Sequence, residues 1–286
     1  VSKLKRINFY KKRAALAAAL GIVSIAGASA QEIEWKQTVN IPKGQNMPKD
    51  VKANVLGIEV GDTYAELKPK LDALAPESIR PTTPPYKEMK TVFRIQTPGA
   101  QGMTGAISYV GQIDMLRNLK GSGVPSIDDQ ITLRLSAPSS GHQVLGLSRI
   151  VTHHNEADQP RVSELLTQLK QKFRSEPQVF ENATLYRFQF RKGQPFVPPN
   201  AGALSCQDQY RETSAENLPR INAKGECDVY LDVRIKPGIT KDHAHTIFFT
   251  LSDNARTKTN LTADFAFFDD YFNNFQAKAK GVTPKL

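Results

Sequence analysis

The chain is poor in the residues that catalytic and metal-binding proteins concentrate. Its 286 residues include two cysteines, one tryptophan, four methionines and five histidines. The cysteines form no C-x-x-C pair, which argues against a redox dithiol or a thiolate zinc site. There is no G-x-S-x-G elbow, and Ser148 in Gly146-Leu147-Ser148-Arg149 falls inside a strand-like run, so a serine hydrolase would lack its strand-to-helix turn. Gly99, Gly102 and Gly105 lack the lysine and the following helix that a phosphate-cradling loop requires, and no cofactor is expected. The acid pairs Asp128-Asp129 and Asp269-Asp270 are adjacent in sequence, a pattern typical of solvated turns and helix surfaces. Beyond residue 28 no apolar run approaches the roughly 20 residues of a membrane span.

What is present at the N-terminus is an export signal. Residues 1–13 hold six basic residues and no acid, residues 14–28 are apolar or small, and Ala28-Ser29-Ala30 is a small-x-small cleavage pattern. Residues 1–30 are therefore expected to be a signal peptide, with a mature chain from Gln31 in the periplasm or outside the cell. No cysteine follows the site to carry a lipid, and Lys12-Arg13 is not a twin-arginine pair. The whole chain is formally +10 with 38 basic and 28 acidic residues. Six of those basic residues lie in the signal, which leaves 32 against 28 and a net +4, too little and too dispersed for a nucleic-acid-binding face.

An oxidising compartment makes Cys206 and Cys227 a disulfide pair on expectation. The five histidines are His142, His153, His154, His243 and His245. Asp242-His243-x-His245 at the start of a strand would send both rings to one face, which makes His243 and His245 the candidate metal ligands. A zinc site needs three or four convergent ligands, and the spacing shows no third, so no metal is expected.

Residues 31–52 are polar, contain Pro42 and Pro48, and read as an arm. Thr63-x-x-Glu66 reads as a capping box opening a helix with Tyr64, Leu67, Leu71 and Leu74 on one stripe, although Pro69 lies inside it. Segments 91–96 and 105–110 read as short strands. Ile131, Leu133 and Leu135 alternate with polar neighbours, Pro138 to Gly141 turn, and 144–152 returns. A second helix carries Val162, Leu165, Leu166, Leu169 and Phe173. Tyr186, Phe188 and Phe190, then Val229, Leu231, Val233 and Ile235, then Ile247, Phe249 and Leu251 alternate as strands. The last helix, 261–280, bears the seam Leu261, Phe265, Phe268, Phe272 and Phe275, read as a face docked on a sheet, with a dimer or partner interface as the alternative. The expected class is α+β, antiparallel sheet with about three helices.

The order repeats. Tyr64 to Leu67 with Leu71 fall on Val162 to Leu165 with Leu169 at a shift of 98, and the same shift carries Ile131, Leu133 and Leu135 onto Val229, Leu231 and Val233. This divides the mature chain into a first unit at 53–155 and a second at 156–286. The segment GIEVGDTYAEL, a glycine, a polar cap, a glutamate and helical leucines ahead of antiparallel strands, resembles the helix-then-sheet units of the SmpA/OmlA-like outer-membrane lipoproteins and the tandem β-lactamase-inhibitor proteins. The resemblance implies modules that hold other proteins without chemistry. The chain departs from the lipoproteins in lacking their lipid-bearing cysteine, and no binding residue carries over.

Residues 192–227 form a long proline-containing loop closed by the cysteines, and long loops are often functional. Phe196, Tyr210, Arg211 and Arg220 are its side chains best suited to recognition. The expected function is non-catalytic binding of an envelope protein or component; the alternative is a small envelope hydrolase using a metal at His243 and His245.

Overall fold

Two helices begin from different kinds of cap. Ahead of α1 (Tyr64–Leu74), Thr63 Oγ1 accepts from the Glu66 amide at 3.3 Å and Glu66 Oε2 accepts from the Thr63 amide at 2.8 Å, the reciprocal box. Pro69 sits within α1 without ending it, and Leu67, Leu71 and Leu74 are buried on one side. In α2 (Val162–Phe173) the residue before the first turn is Arg161, which makes no side-chain cap. Asp242 caps it from a distant turn: its Oδ1 accepts from the Ser163 amide at 3.0 Å and its Oδ2 from the Ser163 hydroxyl at 3.0 Å. Three of these bonds satisfy amides that a helix start would otherwise leave orphaned.

The structure, a computed structural model, describes residues 33–96, 104–123, 127–197, 206, 211, 214–223 and 227–279. The segment 1–30, Gly99, Gly102 and Tyr210 lie outside the described residues. Its strands are β1 (Asn54–Val55), β2 (Ile58–Glu59), β3 (Lys87–Gln96), β4 (Thr104–Leu119), β5 (Ile127–Leu135), β6 (Val144–His153), β7 (Gln178–Phe180), β8 (Leu185–Arg191), β9 (Gln194–Pro195), β10 (Val229–Pro237) and β11 (Ala244–Asp253). β1 and β2 form a small hairpin. The rest make one nine-stranded antiparallel sheet in the order β3-β4-β5-β6-β11-β10-β8-β7, with β9 beside β8. The fold is α+β, as the alternating patterns require.

Each half of the sheet follows its own helix and ends in its own central strand, and β6 meets β11 in the middle. The correspondence reaches single hydrogen bonds. The Tyr64 amide donates to His142 O and the Val162 amide to Asp242 O, both at 2.8 Å; the Val144 amide donates to Asp62 O at 2.8 Å and the Ala244 amide to Pro160 O at 3.0 Å. Thr63 bridges Gln143 as Arg161 bridges His243. The two halves are one sheet, and the described residues from Trp35 onward cluster as one compact unit.

One face of this sheet carries α1, α2 and the main core, where Leu67 and Leu71 join Leu133, Leu147, Phe188, Val233 and Leu251. The other face is partly covered by α3 (Asn254–Ala279), whose seam turns inward: Phe268 lies 4.7 Å and Phe265 5.9 Å from the Phe93 ring, and Phe267 stacks on Trp35 at 5.2 Å. Phe275 lies against Gly105, where a Cβ would stand 3.0 Å from the ring. A fully covered ring of this kind is worth about 1.5–3 kcal/mol. β4 serves both faces by means of Gly111, an extra residue opposite the Met89–Lys90 step that switches the alternation. Val110 and Ile113 thereby join the helix-side core while Tyr109 packs near Phe268. A side chain at 111 would run into the Thr91 hydroxyl.

Charge is also buried on the helix side. Asp129 is wholly inaccessible and accepts from Arg149 Nε at 2.8 Å, Arg149 Nη2 at 3.2 Å and Arg117 Nη2. Arg117, itself buried, places its other amino group on Glu77 at 2.5 Å and on Leu74 O at 3.3 Å. Arg117 and Asp129 thus face each other across β4 and β5, and Arg149 reaches the same carboxylate from β6, where it stands opposite Ile131.

Candidate functional site

α3 and the stapled segment close the second sheet face at one end only. Cys206 and Cys227 are bonded with their Cα atoms 5.6 Å apart, and both are buried over Tyr230. Leu218 and Ile221 of the same segment meet Leu145 and Leu261, joining it to α3. The transverse row beneath this cover, Arg134, Gly146, Ser252, Tyr230 and Gln189, is largely buried. The next rows are open.

Register places Leu116, Gln130, Ile150 and Phe248 side by side across β4, β5, β6 and β11. At about 4.8 Å per strand this row runs about 14 Å. Leu116 is 58 % exposed, Gln130 is exposed, and Ile150 and Phe248 are half-buried. Polar rows flank it. On the covered side stand Asp114, Thr132, Ser148, Thr250 and Asp232; on the far side stand Asn118, Asp128, Thr152 and Thr246. The acids in these rows are already satisfied. Arg187 holds Asp232 through two bonds of 2.6 Å, Gln112 donates to Asp114 at 2.7 Å, and Asp128 accepts from Asn118 at 2.7 Å and pairs with His154 at 2.9 Å.

At Leu116 the row opens into a cleft of about 790 Å³ lined by Lys68, Pro84, Pro85, Tyr86, Met115 and Leu116 among others. The cleft exists because pairing along the β4 edge is interrupted. β3 pairs only as far as Lys87–Asp114, and the chain returns to β4 where the Ile79 amide donates to Asn118 O at 2.8 Å. Residues 80–86 arch over the gap, with Lys68 above the Tyr86 ring.

The sequence-predicted site residues are distributed differently. Phe196 is half-buried, its amide donates to Gln189 O at 2.9 Å, and its ring lies 5.2 Å from the Arg191 guanidinium. Arg211 is exposed, and Arg220 is exposed at the end of the 3-10 turn Ala215–Arg220. His243 and His245 have separate engagements. His243 Nδ1 is 2.7 Å from the Thr240 hydroxyl; His245 Nδ1 is 2.8 Å from the Thr246 hydroxyl, at a register shift where Ala244 and Thr246 take the pairing. Among the described residues no group of three histidines, cysteines or acids is placed to hold a metal ion. Burial lowers the His153 pKa, the direction of a neutral structural ring. Asp128 and Asp129 point to opposite faces of β5 and cannot act together.

Sequence reading did not single out Leu116, Ile150 or Phe248. The available signal was two-sided apolarity in β6 and β11, where Ile150-Val151 and Ile247-Phe248-Phe249 break strict alternation, the mark of a strand with apolar groups on both faces. No family model matches the chain, and neither curated proteins nor solved structures show a match to it.

Proposed function

We propose that this protein is a non-catalytic binding protein of an oxidising, extracytoplasmic compartment, and that it receives a partner protein on the open face of its sheet. The observation that carries the reading is the row Leu116–Gln130–Ile150–Phe248 between two polar rows whose acids already have hydrogen-bond partners. An apolar centre with a polar rim is the anatomy of a protein-binding patch. The cleft beside Leu116 supplies what a flat sheet lacks, a recess for an anchoring side chain. A rigid nine-stranded platform loses little conformational entropy on binding, so more of each contact appears as affinity. The disulfide and the signal-like residues 1–30 support the compartment. The helix-then-sheet order, present twice, is in keeping with the resemblance to modules that hold other proteins.

The test is capture from envelope extract by immobilised mature protein, followed by measurement of affinity for the retained partner. Ile150→Asp with Phe248→Asp is expected to weaken binding at least about a hundredfold, since two central contacts of this kind carry ~2 kcal/mol or more each. Arg211→Ala with Arg220→Ala is expected to leave it within about threefold. The opposite pattern would move the site to the stapled segment and overturn the reading.

A further inference from the structure

The helix side of the sheet contains a second recess of different chemistry. It lies between the β1–β2 hairpin and α2 and has a volume of about 200 Å³. Its walls include Leu56, Leu165, Leu169 and Phe249, and its charged groups are Arg149 and Lys172; among the described residues no carboxylate lines it. This is below the ~300 Å³ where drug-sized sites begin. Its ligand is therefore small.

Among the described residues neither cation has a carboxylate to itself. Arg149 has only 17 % of its side chain exposed, lies with its guanidinium 5.7 Å from the Phe249 ring, and gives Nε and Nη2 to Asp129, which leaves Nη1 without a hydrogen-bond acceptor among the described residues. Asp129 is not Arg149's alone, because Arg117 draws on the same carboxylate. Lys172 donates at 2.8 Å to Asn54 O and Asn54 Oδ1, neutral acceptors both. Burial pushes its ammonium below the ordinary lysine range, the direction that an arriving anion would reverse. The hairpin at the rim places Leu56 in left-handed backbone at φ 55°, followed by Gly57 at φ 77°. A leucine there is strained by ~1 kcal/mol or more, and its side chain packs against the core beside the recess.

We propose that this recess binds a short aliphatic carboxylate, its headgroup shared between Arg149 and Lys172 and its chain along Leu165, Leu169 and Phe249. The guanidinium edge suits a planar carboxylate, and the acid-free lining disfavours amines. The site is on the opposite face of the sheet from the row Leu116–Gln130–Ile150–Phe248 and shares no lining residue with the cleft beside Leu116, so the two stand or fall separately.

Calorimetric titration of the mature protein with sodium hexanoate, 1-hexanol and hexylamine tests it. Saturable binding of hexanoate is expected, at least about tenfold tighter than hexanol, which corresponds to ~1.4 kcal/mol, with no binding of hexylamine. Lys172→Met removes one cation without disturbing Asp129 and is expected to weaken hexanoate about tenfold, while Lys172→Arg retains it. Leu165→Trp fills the recess and is expected to abolish binding with the circular dichroism spectrum unchanged. Absence of saturable hexanoate binding, equal binding of hexanol, or undiminished binding by Lys172→Met would overturn the proposal.

Discussion

Replacing Asp129 by leucine removes the carboxylate around which two buried guanidinium groups are organised. Asp129 has no accessible surface and accepts from both Arg117 and Arg149. In its absence Arg117 keeps Glu77 and Leu74 O, but Glu77 is 56 % exposed and a weak partner, and Arg117 Nε already lacks an acceptor among the described residues. Arg149 loses every ionic contact it has. Breaking one side of a buried ion pair costs about 3–5 kcal/mol, because the remaining charge stays desolvated. We expect ~4 kcal/mol here, a large share of the roughly 5–15 kcal/mol by which a domain is stable. In urea, with a slope of about 2–3 kcal/mol/M, the midpoint should fall by ~1.5 M at unchanged slope. The companion variant Arg117→Met with Asp129→Leu and Arg149→Met removes charge and counter-charge together, and should recover stability to within ~1 kcal/mol of wild type or exceed it. An Asp129→Leu loss below ~1 kcal/mol would mean that the guanidiniums reach water and that the cluster is not interior. A triple variant weaker than the single would mean that the cluster is a net stabiliser, against the desolvation argument.

Three further outcomes follow from particular contacts. Cys206→Ala with Cys227→Ala should lower stability by ~3 kcal/mol in the same assay, the chain-entropy value for a loop with a separation of 21 residues. Glu66, held down to about 2 by Lys43 and the Thr63 amide, gives stability that is full above its unfolded value near 4.5 and is lost as pH falls through about 2. Glu66→Gln, at this exposed site, should therefore cost under ~1 kcal/mol at neutral pH, with the difference from wild type closing between those values in pH-dependent urea melts. Gly111→Ala should cost ~1–3 kcal/mol by thermal melting, because its Cβ meets the Thr91 side chain and strains the step at which β4 changes face.

The elements most legible in the sequence were those whose cause is local. The Thr63–Glu66 box and its leucines announced α1, and strict alternation announced β5, β10 and much of β11. Elements determined by distant partners were harder to read. α2 takes its cap from Asp242, 79 residues away, which no local pattern encodes. α3 begins at Asn254, seven residues before the aromatic seam, because its first turns bury polar groups: Arg256 bonds Ile41 O, Pro42 O, Gln143 and Asp253, and Asn260 bonds Gln143. Those turns have no apolar stripe to reveal them. β4 runs 16 residues through Gly111, where the face switch cancels the period-two signal and leaves only its first part recognisable. The open row was obscure for a related reason. Leu116, Gln130, Ile150 and Phe248 come from four strands, and only the registry of the finished sheet brings them together.

The most direct test of binding on the open face is site-specific photo-crosslinking in intact cells, with a photoreactive phenylalanine at position 248, at Arg220 on the stapled segment, or at Asp269 on the exposed side of α3. A discrete adduct from position 248, absent at 269 and weak or absent at 220, is the expected result. Adducts from 220 with none from 248 would contradict it.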